Sequence, residues 1–378
     1  MDLSVIDQLS GHGERGLAWQ AKALEKRRAF STNRRKVAQP KLLVFADAGP
    51  MGDNTPIEFL LQNSDFEIIT YYPNFQVKDP YPLPPHDIAF CAASLDSSNA
   101  DVFFENLRNL TETTGTKTVN FPDTPVALER DKLPVAFSNI GGLRFPQTCR
   151  VPRLQLEETL DVSTDIDSID TIGGYPCLIR PCGSHAGRGL KKLNTRDCLK
   201  SYLLEREESE FFISEFINYA SPQDGNFRKY RIIFIDGHAF PCHMAISDQW
   251  DLWYLNANMH ASESKRKNEA DFMDTFDLHF AKRHHHAFDA LSTKIGLDYF
   301  GIDCAEDAEG NLIIFEADNA LIVHDMDCEI LFPYKKRHMQ NIFEAFENML
   351  LGHCPRPVRQ PQLSTDGGLN VRLHRSHA

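Results

Sequence analysis

Two apolar runs in the last quarter of the chain predict a β-hairpin that carries three carboxylates. The first run, residues 299–304, contains Asp303, and the second run, residues 312–318, contains Glu316 and Asp318. Alternate residues of a strand lie on the same face, so the two acids of the second run should share a face and the third acid should lie opposite them. A chain with this pattern must fold so that three negative charges either reach solvent or meet a cation.

The expected spacing of these carboxylates favours a metal site. Cross-strand neighbours lie roughly 5 Å apart, where like charges repel one another unless a cation lies between them. Mg²⁺ prefers hard oxygen ligands and usually joins protein carboxylates to substrate phosphates. The same alternation predicts that Glu316 and Asp318 share their face with Leu312 and Ile314. The alternative interpretation is three ordinary surface acids, and the rest of the chain must decide between the two.

Composition and charge restrict the class of protein. The 378 residues predict two or three domains, and 42% hydrophobic with 25% charged residues is typical of a soluble globular protein. No apolar stretch approaches the roughly 18 residues of a membrane span, and the polar first 15 residues do not resemble a secretory signal. We therefore expect a cytoplasmic protein with no membrane contact. The net charge of −13 argues against nucleic-acid binding.

The pattern along the chain predicts five segments. Residues 1–40 are locally basic and predict a helical extension that could dock a partner protein, and residues 41–145 alternate between strand and helix, which favours a parallel α/β domain. Residues 146–218 and 219–354 predict two units in which strands pair as hairpins, so the fold class is α/β with an α+β C-terminal half. Residues 355–378 are predicted to be a flexible tail.

Three further segments carry residues suited to a nucleotide. Arg180 ends a predicted strand and precedes a loop, residues 183–189, whose glycines allow backbone N–H groups to approach phosphate oxygens. An apolar strand contains the single acid Glu215, and Arg231 projects from the next predicted strand. Each feature also fits a plain hairpin turn or a surface ion pair, so none of them is specific alone.

The order of these segments resembles the ATP-grasp superfamily, most closely its glutathione-synthetase-like, RimK-type branch. The resemblance covers residues 41–351 and includes the Asn-Thr-Pro, Arg-Asp, Gly-Leu-Asp-Tyr and Phe-Glu-Ala-Asp segments of a bacterial subgroup that is often joined to tetratricopeptide repeats, which this chain lacks. It implies a Rossmann-like domain followed by two α+β subdomains that enclose ATP.

The resemblance also implies a role for individual residues. Arg231 would stabilise an acyl phosphate together with Arg180, and Asp303, Glu316 and Asp318 would bind Mg²⁺, with Asn319 as an alternative to Asp318. The implied ATP contacts are Lys132, Arg180, Gly183, Ser184, His185, Gly187, Gly189, Glu215, Phe216, Ile217 and Asp224. The candidate acceptor contacts are Asn54, Thr55, Asn256, Asn258, Asn319 and His324.

The chain departs from the family pattern at two of these positions. Arg180 stands where lysine is usual, and Asp318 stands where asparagine is usual. Arginine keeps the positive charge but has a wider, planar head group, and the added carboxylate should favour a metal. Both positions therefore keep a chemistry that suits ATP and Mg²⁺.

These features predict an ATP- and Mg²⁺-dependent ligase that joins a carboxylate to an amine through an acyl phosphate. One or two Mg²⁺ ions are expected, and Mn²⁺ could substitute. The alternatives are a phosphotransferase of the same fold and a catalytically silent nucleotide-binding module that docks a partner. The sequence leaves both substrates and the formation of homo-oligomers open.

Overall fold

The computed structural model describes residues 1–32, 40–75, 82–97, 99–122, 128–138, 140–161, 169, 173–184 and 187–354. Three β-sheets organise this part of the chain. Within it, no helix is both long enough and apolar enough to span a membrane. The tail predicted for residues 355–378 lies outside the described residues.

The first sheet forms an N-terminal unit with a helical hairpin at its start. The elements are α1 (Asp2–Leu9), α2 (Gly13–Lys26), β1 (Ala29–Thr32), β2 (Lys41–Phe45), a 3₁₀ turn (Met51–Asp53), α3 (Ile57–Leu60), β3 (Glu67–Tyr71), β4 (Ile88–Cys91), α4 (Ala100–Thr114) and β5 (Thr118–Val119). The strand order is β1-β3-β2-β4-β5, and only β1 runs antiparallel to its neighbour. The sheet therefore includes a strand from the segment that the sequence assigned to a helical extension.

The second sheet is small and antiparallel throughout. After α5 (Leu133–Ala136) and β6 (Leu143–Arg144), it is built from β7 (Thr148–Pro152), α6 (Arg153–Asp161), β8 (Cys177–Pro181), β9 (Lys191–Leu193), α7 (Arg196–Leu204) and β10 (Glu210–Glu215). The strand order is β7-β10-β8-β9. Its two helices cover one face, where Leu156 and Leu199 pack on Ile179 and Phe211 in a separate core.

The third sheet carries the acidic hairpin. Its elements are β11 (Phe227–Ile235), β12 (His238–Ser247), a 3₁₀ turn (Met259–Ala261), α8 (Glu263–Asp274), α9 (Phe280–Ile295), β13 (Tyr299–Glu306), β14 (Leu312–Asp318) and α10 (Lys335–His353). The strand order is β12-β11-β13-β14-β6, antiparallel except between β14 and β6. Although β6 precedes the second sheet in sequence, it forms an edge of the third sheet. The chain thus has one α/β unit followed by two α+β units, which confirms the predicted fold class.

Helix α10 joins the N-terminal unit to the third sheet. The apolar stripe of this helix is buried, and Phe346 contacts both Phe90 of β4 and Tyr299 of β13, with ring centroids 5.5 and 5.1 Å apart. Ile342 and Leu350 are fully buried in the same core. The helix thereby holds the end of the acidic hairpin next to the loops of the first sheet.

Candidate active site

A cleft with a volume of about 480 Å³ lies between the second and third sheets. One wall contains side chains from β8 and β10, and the other wall contains side chains from β11, β12, β13 and β14. Arg130, from the segment that links the first sheet to the second, also lines it. The cleft therefore brings together residues that lie far apart in sequence.

A row of four polar side chains crosses the third sheet inside this cleft. Glu316 pairs with Asp303, Asp303 pairs with Arg231, and Arg231 pairs with His243 on the four neighbouring strands. All four line the cleft. The predicted opposition of Asp303 and Glu316 is therefore present, and the row extends beyond the hairpin to the outermost strand.

A β-bulge changes the face on which the acids of β14 lie. The register shifts by one residue, so that Asp303 pairs with Glu316 while Cys304 pairs with Ile314. Leu312 and Ile314 pack in the main hydrophobic core on the opposite side of the sheet. The prediction that they share a face with Glu316 is wrong, because the extra residue re-aims the acids towards the cleft while the apolar residues keep the core.

Asp303 is the most strongly paired acid of the row. Arg231 donates from Nε and Nη2 to its two oxygens at 2.8 and 3.1 Å, and Lys229 Nζ lies 2.9 Å from the second oxygen. Burial opposes ionisation, but the charges of Arg231 and Lys229 prevail and hold the pKa of Asp303 below its usual value. The group is thus a buried carboxylate that shares two cations.

Glu316 is paired by the half-buried Arg130. The guanidinium donates to Oε1 of Glu316 at 2.6 Å, and its other end lies 3.5 Å from a carboxylate oxygen of Asp96. Burial opposes the charge of Glu316, but Arg130 lowers the pKa of this acid. Asp96 follows β4, so the N-terminal unit supplies an acid to the network around the hairpin.

The structure distinguishes Asp318 from Asn319. Asp318 accepts a hydrogen bond from Ser94 Oγ at 2.8 Å and lines the cleft, and burial together with the charge of Glu316 raises its pKa to about 7. The side chain of Asn319 instead faces the first sheet, where it accepts from Leu95 N at 3.1 Å and donates to Ala93 O at 2.8 Å. Asp318 is therefore the residue that faces the candidate metal site.

The three cleft carboxylates fit Mg²⁺ in donor type, because Mg²⁺ takes oxygen ligands and seldom uses a cage made only of protein groups. Their oxygens are engaged by Arg130, Arg231, Lys229 and Ser94. Among the described residues, the ligand-type side chains gathered within 4.8 Å of one another are Asp236, Asp298 and His353, and these do not line the cleft. An ion at the predicted site has to compete with Arg130 and Lys229 for oxygens.

The opposite end of the cleft is aromatic. Phe216 contacts Trp250 edge-on at a centroid distance of 5.6 Å, Lys192 Nζ lies 3.3 Å from the centroid of the Phe216 ring, and Ile217 is buried beside them. Glu215 accepts a hydrogen bond from Arg144 at 2.8 Å. The predicted segment 215–217 thus lines the cleft as a partly apolar surface next to an ion pair.

Arg180 lies between the aromatic end and the acids. It donates from Nε to Ser184 Oγ at 3.1 Å and from a second nitrogen to the Ser184 carbonyl oxygen. Burial and the nearby Arg130 lower its pKa to about 10. The group remains a cation at neutral pH, and the loop that follows it restrains its direction.

Three glycines shape the loop after Arg180. Gly183, Gly187 and Gly189 have φ angles of +68°, +69° and +69°, the left-handed region that favours glycine. A Cβ on Gly189 would also meet Pro181 Cδ at 2.7 Å. Gly187 lines the cleft, whereas the predicted contact His185 lies outside the described residues.

Two predicted ATP contacts lie away from the cleft. Lys132 is exposed and does not line it, and Arg130, two residues earlier, supplies the cation of this segment that does. Asp224 is exposed and forms two hydrogen bonds with Arg228, at 3.1 and 2.7 Å. Asp224 and Arg228 lie four residues apart and form an ion pair, and neither side chain lines the cleft.

Most of the predicted acceptor contacts have other partners. Asn54 exchanges hydrogen bonds with the backbone of Asp47, and Thr55 Oγ1 donates to Asn319 O at 2.7 Å. Asn256 closes its own loop through Asp251 O and Trp253 N, and Asn258 is exposed. None of these four side chains lines the cleft.

His324 is the acceptor candidate that lines the cleft. Its Nδ1 accepts a hydrogen bond from Met326 N at 3.2 Å, and burial lowers its pKa. Close to it, Lys335 is buried and donates to Asp327 at 2.8 Å and to the Tyr254 hydroxyl. The cleft therefore has a second polar region, formed by His324, Asp327 and Lys335.

Sequence reasoning missed Arg130, Lys229, His243 and Lys335. Lys229 lies two residues before Arg231 on β11, so strand alternation places both on one face and gave a usable signal. The pairing of His243 with Arg231 depends on a bulge between β11 and β12, and the position of this bulge cannot be predicted from the local sequence. Lys335 is the first residue of α10, and the sequence offered no signal for its place in the cleft.

Asp96→Asn is expected to flatten the pH dependence of stability. Burial, opposed by Arg130, raises the pKa of Asp96 to about 8 in the folded protein, whereas an unfolded aspartate has a pKa of about 4. Between these values unfolding releases a proton, so this group lowers the free energy of unfolding by roughly 1.4 kcal/mol per pH unit as pH rises.

Urea denaturation at intervals from pH 5 to pH 8 measures this slope. Asp101→Asn removes an exposed carboxylate from the neighbouring start of α4 and controls for the loss of a charge as such. If the wild type and Asp96→Asn have the same slope, Asp96 does not hold a proton in the folded state.

Comparison with known proteins gives a likeness of fold only. No protein-family model matches the sequence, and neither does any curated protein. VanG D-Ala:D-Ser ligase of Enterococcus faecalis is similar over 83% of this chain and 100% of its own, at 13% identity and a TM-score of 0.49.

Two other solved structures are similar to the same extent. A RimK domain ATP-grasp protein of Sphaerobacter thermophilus covers 82% of this chain and 100% of its own, at 13% identity and a TM-score of 0.48. D-alanine–D-alanine ligase of Bacillus anthracis, complexed with ATP, covers 83% and 97%, at 14% identity and a TM-score of 0.48. These similarities concern the course of the backbone and assign no activity to this chain.

Proposed function

We propose that the protein is an ATP-grasp enzyme that uses ATP and Mg²⁺ to join a carboxylate to an amine through an acyl phosphate. The observation that carries the proposal is the cross-strand row Glu316, Asp303 and Arg231, which lines a cleft that also contains aromatic side chains and further polar groups. A site of this kind can hold a nucleotide, a phosphoryl group and an acceptor in sequence.

The aromatic end suits the base of ATP. Phe216, Ile217 and Trp250 offer apolar surface, and they follow or face Glu215, the last residue of the interior strand β10. Arg180 and Arg130 follow towards the acids and supply fixed positive charge for phosphate oxygens. In this proposal Arg130 takes the part that the sequence resemblance gave to Lys132.

Asp303, Glu316 and Asp318 would hold Mg²⁺ next to these arginines. When bound, the ion would neutralise charge on the oxygens of the transferred phosphoryl group. The cations that engage the carboxylates in the structure keep this region near charge balance, with Arg130 on Glu316 and with Lys229 and Arg231 on Asp303.

Arg231 would orient the acyl phosphate. Its Nε and Nη2 are fixed by Asp303, and Nη1 donates to Ile322 O at 3.1 Å, so the guanidinium is held rigidly in the cleft wall. Pre-oriented charge of this kind stabilises a transition state without reorganisation. The carboxylate oxygen attacks the γ-phosphorus, ADP leaves, and the chain contributes position and charge rather than a nucleophile.

ADP release measured over a panel of carboxylates tests this proposal. The panel contains amino acids, dicarboxylates and short peptides, each with and without an amine, and each in Mg²⁺ or in EDTA. We expect release that requires both a carboxylate and Mg²⁺, and hydroxylamine should trap the acyl phosphate as a hydroxamate.

Two results would replace the proposal with another function. A stable phosphorylated product that forms without any amine would identify a phosphotransferase. ATP binding, measured by calorimetry, without turnover for any member of the panel would identify a silent nucleotide-binding module.

A further inference from the structure

We propose that His243 accepts the proton that the amine loses when it attacks the acyl phosphate. This inference rests on the proposed function and deepens it, because it assigns a catalytic residue to the second half of the reaction. His243 is the fourth member of the row that crosses the third sheet, and it pairs with Arg231 on the side away from Asp303.

The position of His243 follows from the register of the sheet. On one face of the sheet Asp303 lies next to Arg231, and Arg231 lies next to His243 on the following strand. Cross-strand partners are roughly 5 Å apart, so the imidazole lies one side chain beyond Arg231. A group that removes a proton from the attacking amine must be next to the carbonyl carbon, and this is such a place.

The contacts of the imidazole leave one nitrogen free for a substrate. Nδ1 lies 4.0 Å from Cys242 Sγ, and the ring packs against Tyr254 at a centroid distance of 4.6 Å. Within the described residues, Nε2 has no protein hydrogen-bond partner, although the side chain lines the cleft. The packing fixes the ring, and the remaining nitrogen is available to a ligand.

The charges around His243 keep the imidazole unprotonated before the reaction. Burial is the main reason that the pKa of His243 lies well below its usual value, and the positive charges of Arg231 and Lys335 lower it further. The titratable groups that act on it are Arg231 and Lys229 on β11, Asp303 on β13 and Lys335 on α10, and its ring lies against Cys242 and Tyr254. Lys335 lies 3.4 Å from Glu269 on α8. Lys335 and the hydroxyls of Tyr254 and Tyr334 surround Glu269, so its carboxylate is already compensated.

The proposed step balances as follows. The amine nitrogen forms a bond to the carbonyl carbon, the bond from that carbon to the phosphate oxygen breaks, and phosphate leaves with the electron pair. One proton of the alkylammonium moves to Nε2 of His243 as its nitrogen attacks, and a second N–H proton leaves with the phosphate. The products are the amide, inorganic phosphate and an imidazolium, which then returns its proton to water in the open cleft.

A comparison of two amines tests the role of His243. An alkylamine is protonated at neutral pH and needs a base, whereas hydroxylamine is largely unprotonated and reacts without one. The assay uses the carboxylate from the panel that gives the fastest ADP release with the wild type. We expect His243→Asn to form the hydroxamate at a rate within about threefold of the wild type and the alkylamide about 10²- to 10⁴-fold more slowly.

The matched control is His238→Asn, which changes an exposed histidine at the start of the same strand. His243→Gln provides a second variant if the asparagine variant folds poorly, and thermal unfolding reports on both. In both His243 variants the rate with the alkylamine should fall about tenfold for each pH unit of acidification, because only the free amine then reacts. The wild-type rate should change less around neutral pH, because the imidazole is unprotonated there.

The results separate this inference from the proposed function. Equal losses with both amines in a folded variant, or no loss with either amine, would overturn the role of His243 and leave the ligase intact. A wild-type protein that forms neither product with any carboxylate would overturn the ligase and the inference together.

Discussion

Asp303→Asn is expected to abolish ATP turnover and to lower the free energy of unfolding by about 3–5 kcal/mol, the usual effect of breaking a buried ion pair. The substitution keeps the shape of the side chain but removes a charge that compensates Arg231 and Lys229. Both cations then lie in the cleft wall with no carboxylate between them, and a magnesium ligand is lost at the same time.

Urea denaturation and ADP release measure the two effects on the same preparation. Glu309→Gln is the matched control, since it neutralises an exposed acid in the turn of the same hairpin. Glu316→Gln should also abolish turnover, because Glu316 is the cross-strand partner of Asp303. Substrate-stimulated turnover in both cleft variants would contradict the metal assignment, and unchanged stability of Asp303→Asn would contradict the role of its ion pairs.

The sequence predicted the acidic hairpin because strand alternation and a polar turn are local properties. It could not predict the bulge, because the position of the extra residue depends on the partner strand, and one residue moves the acids to the other face. The three acids still line one cleft, although the packing prediction was wrong.

The sequence also could not show whether Arg130 or Lys132 enters the cleft. Lys132 and Arg130 lie two residues apart, and family likeness selected the lysine. The structure instead places Arg130 between Asp96 and Glu316. The contact partners come from the first and third sheets, so only the packing of the two units reveals which cation enters the cleft.

The first sheet was also incomplete in the sequence interpretation. Strand β1 has four residues and no clear alternation, and it becomes a strand by pairing with β3. Such short edge strands depend on tertiary context more than on propensity. In contrast, α10 has a long and periodic apolar stripe, which is a local signal of a helix.

Asn319→Ala is expected to lower the free energy of unfolding by about 2–5 kcal/mol, because it leaves two buried backbone groups without partners. Asn319 is 1% exposed and bonds the N–H of Leu95 and the carbonyl of Ala93, both in the loop that follows β4. Its own carbonyl accepts from Thr55. These bonds join the N-terminal unit to the end of β14, one residue from Asp318.

The same variant decides between a structural role for Asn319 and the metal-ligand role that its position beside Asp318 had left open. If Asn319 joins the two units, the variant should be less stable in urea denaturation. It should also need a higher Mg²⁺ concentration for turnover, because Asp318 and its partner Ser94 lose a common support. Asn109→Ala, on the exposed face of α4, is the matched control. A weaker Mg²⁺ response at unchanged stability would show instead that Asn319 reaches the ion, because a ligand can be removed without loosening the contact between the sheets.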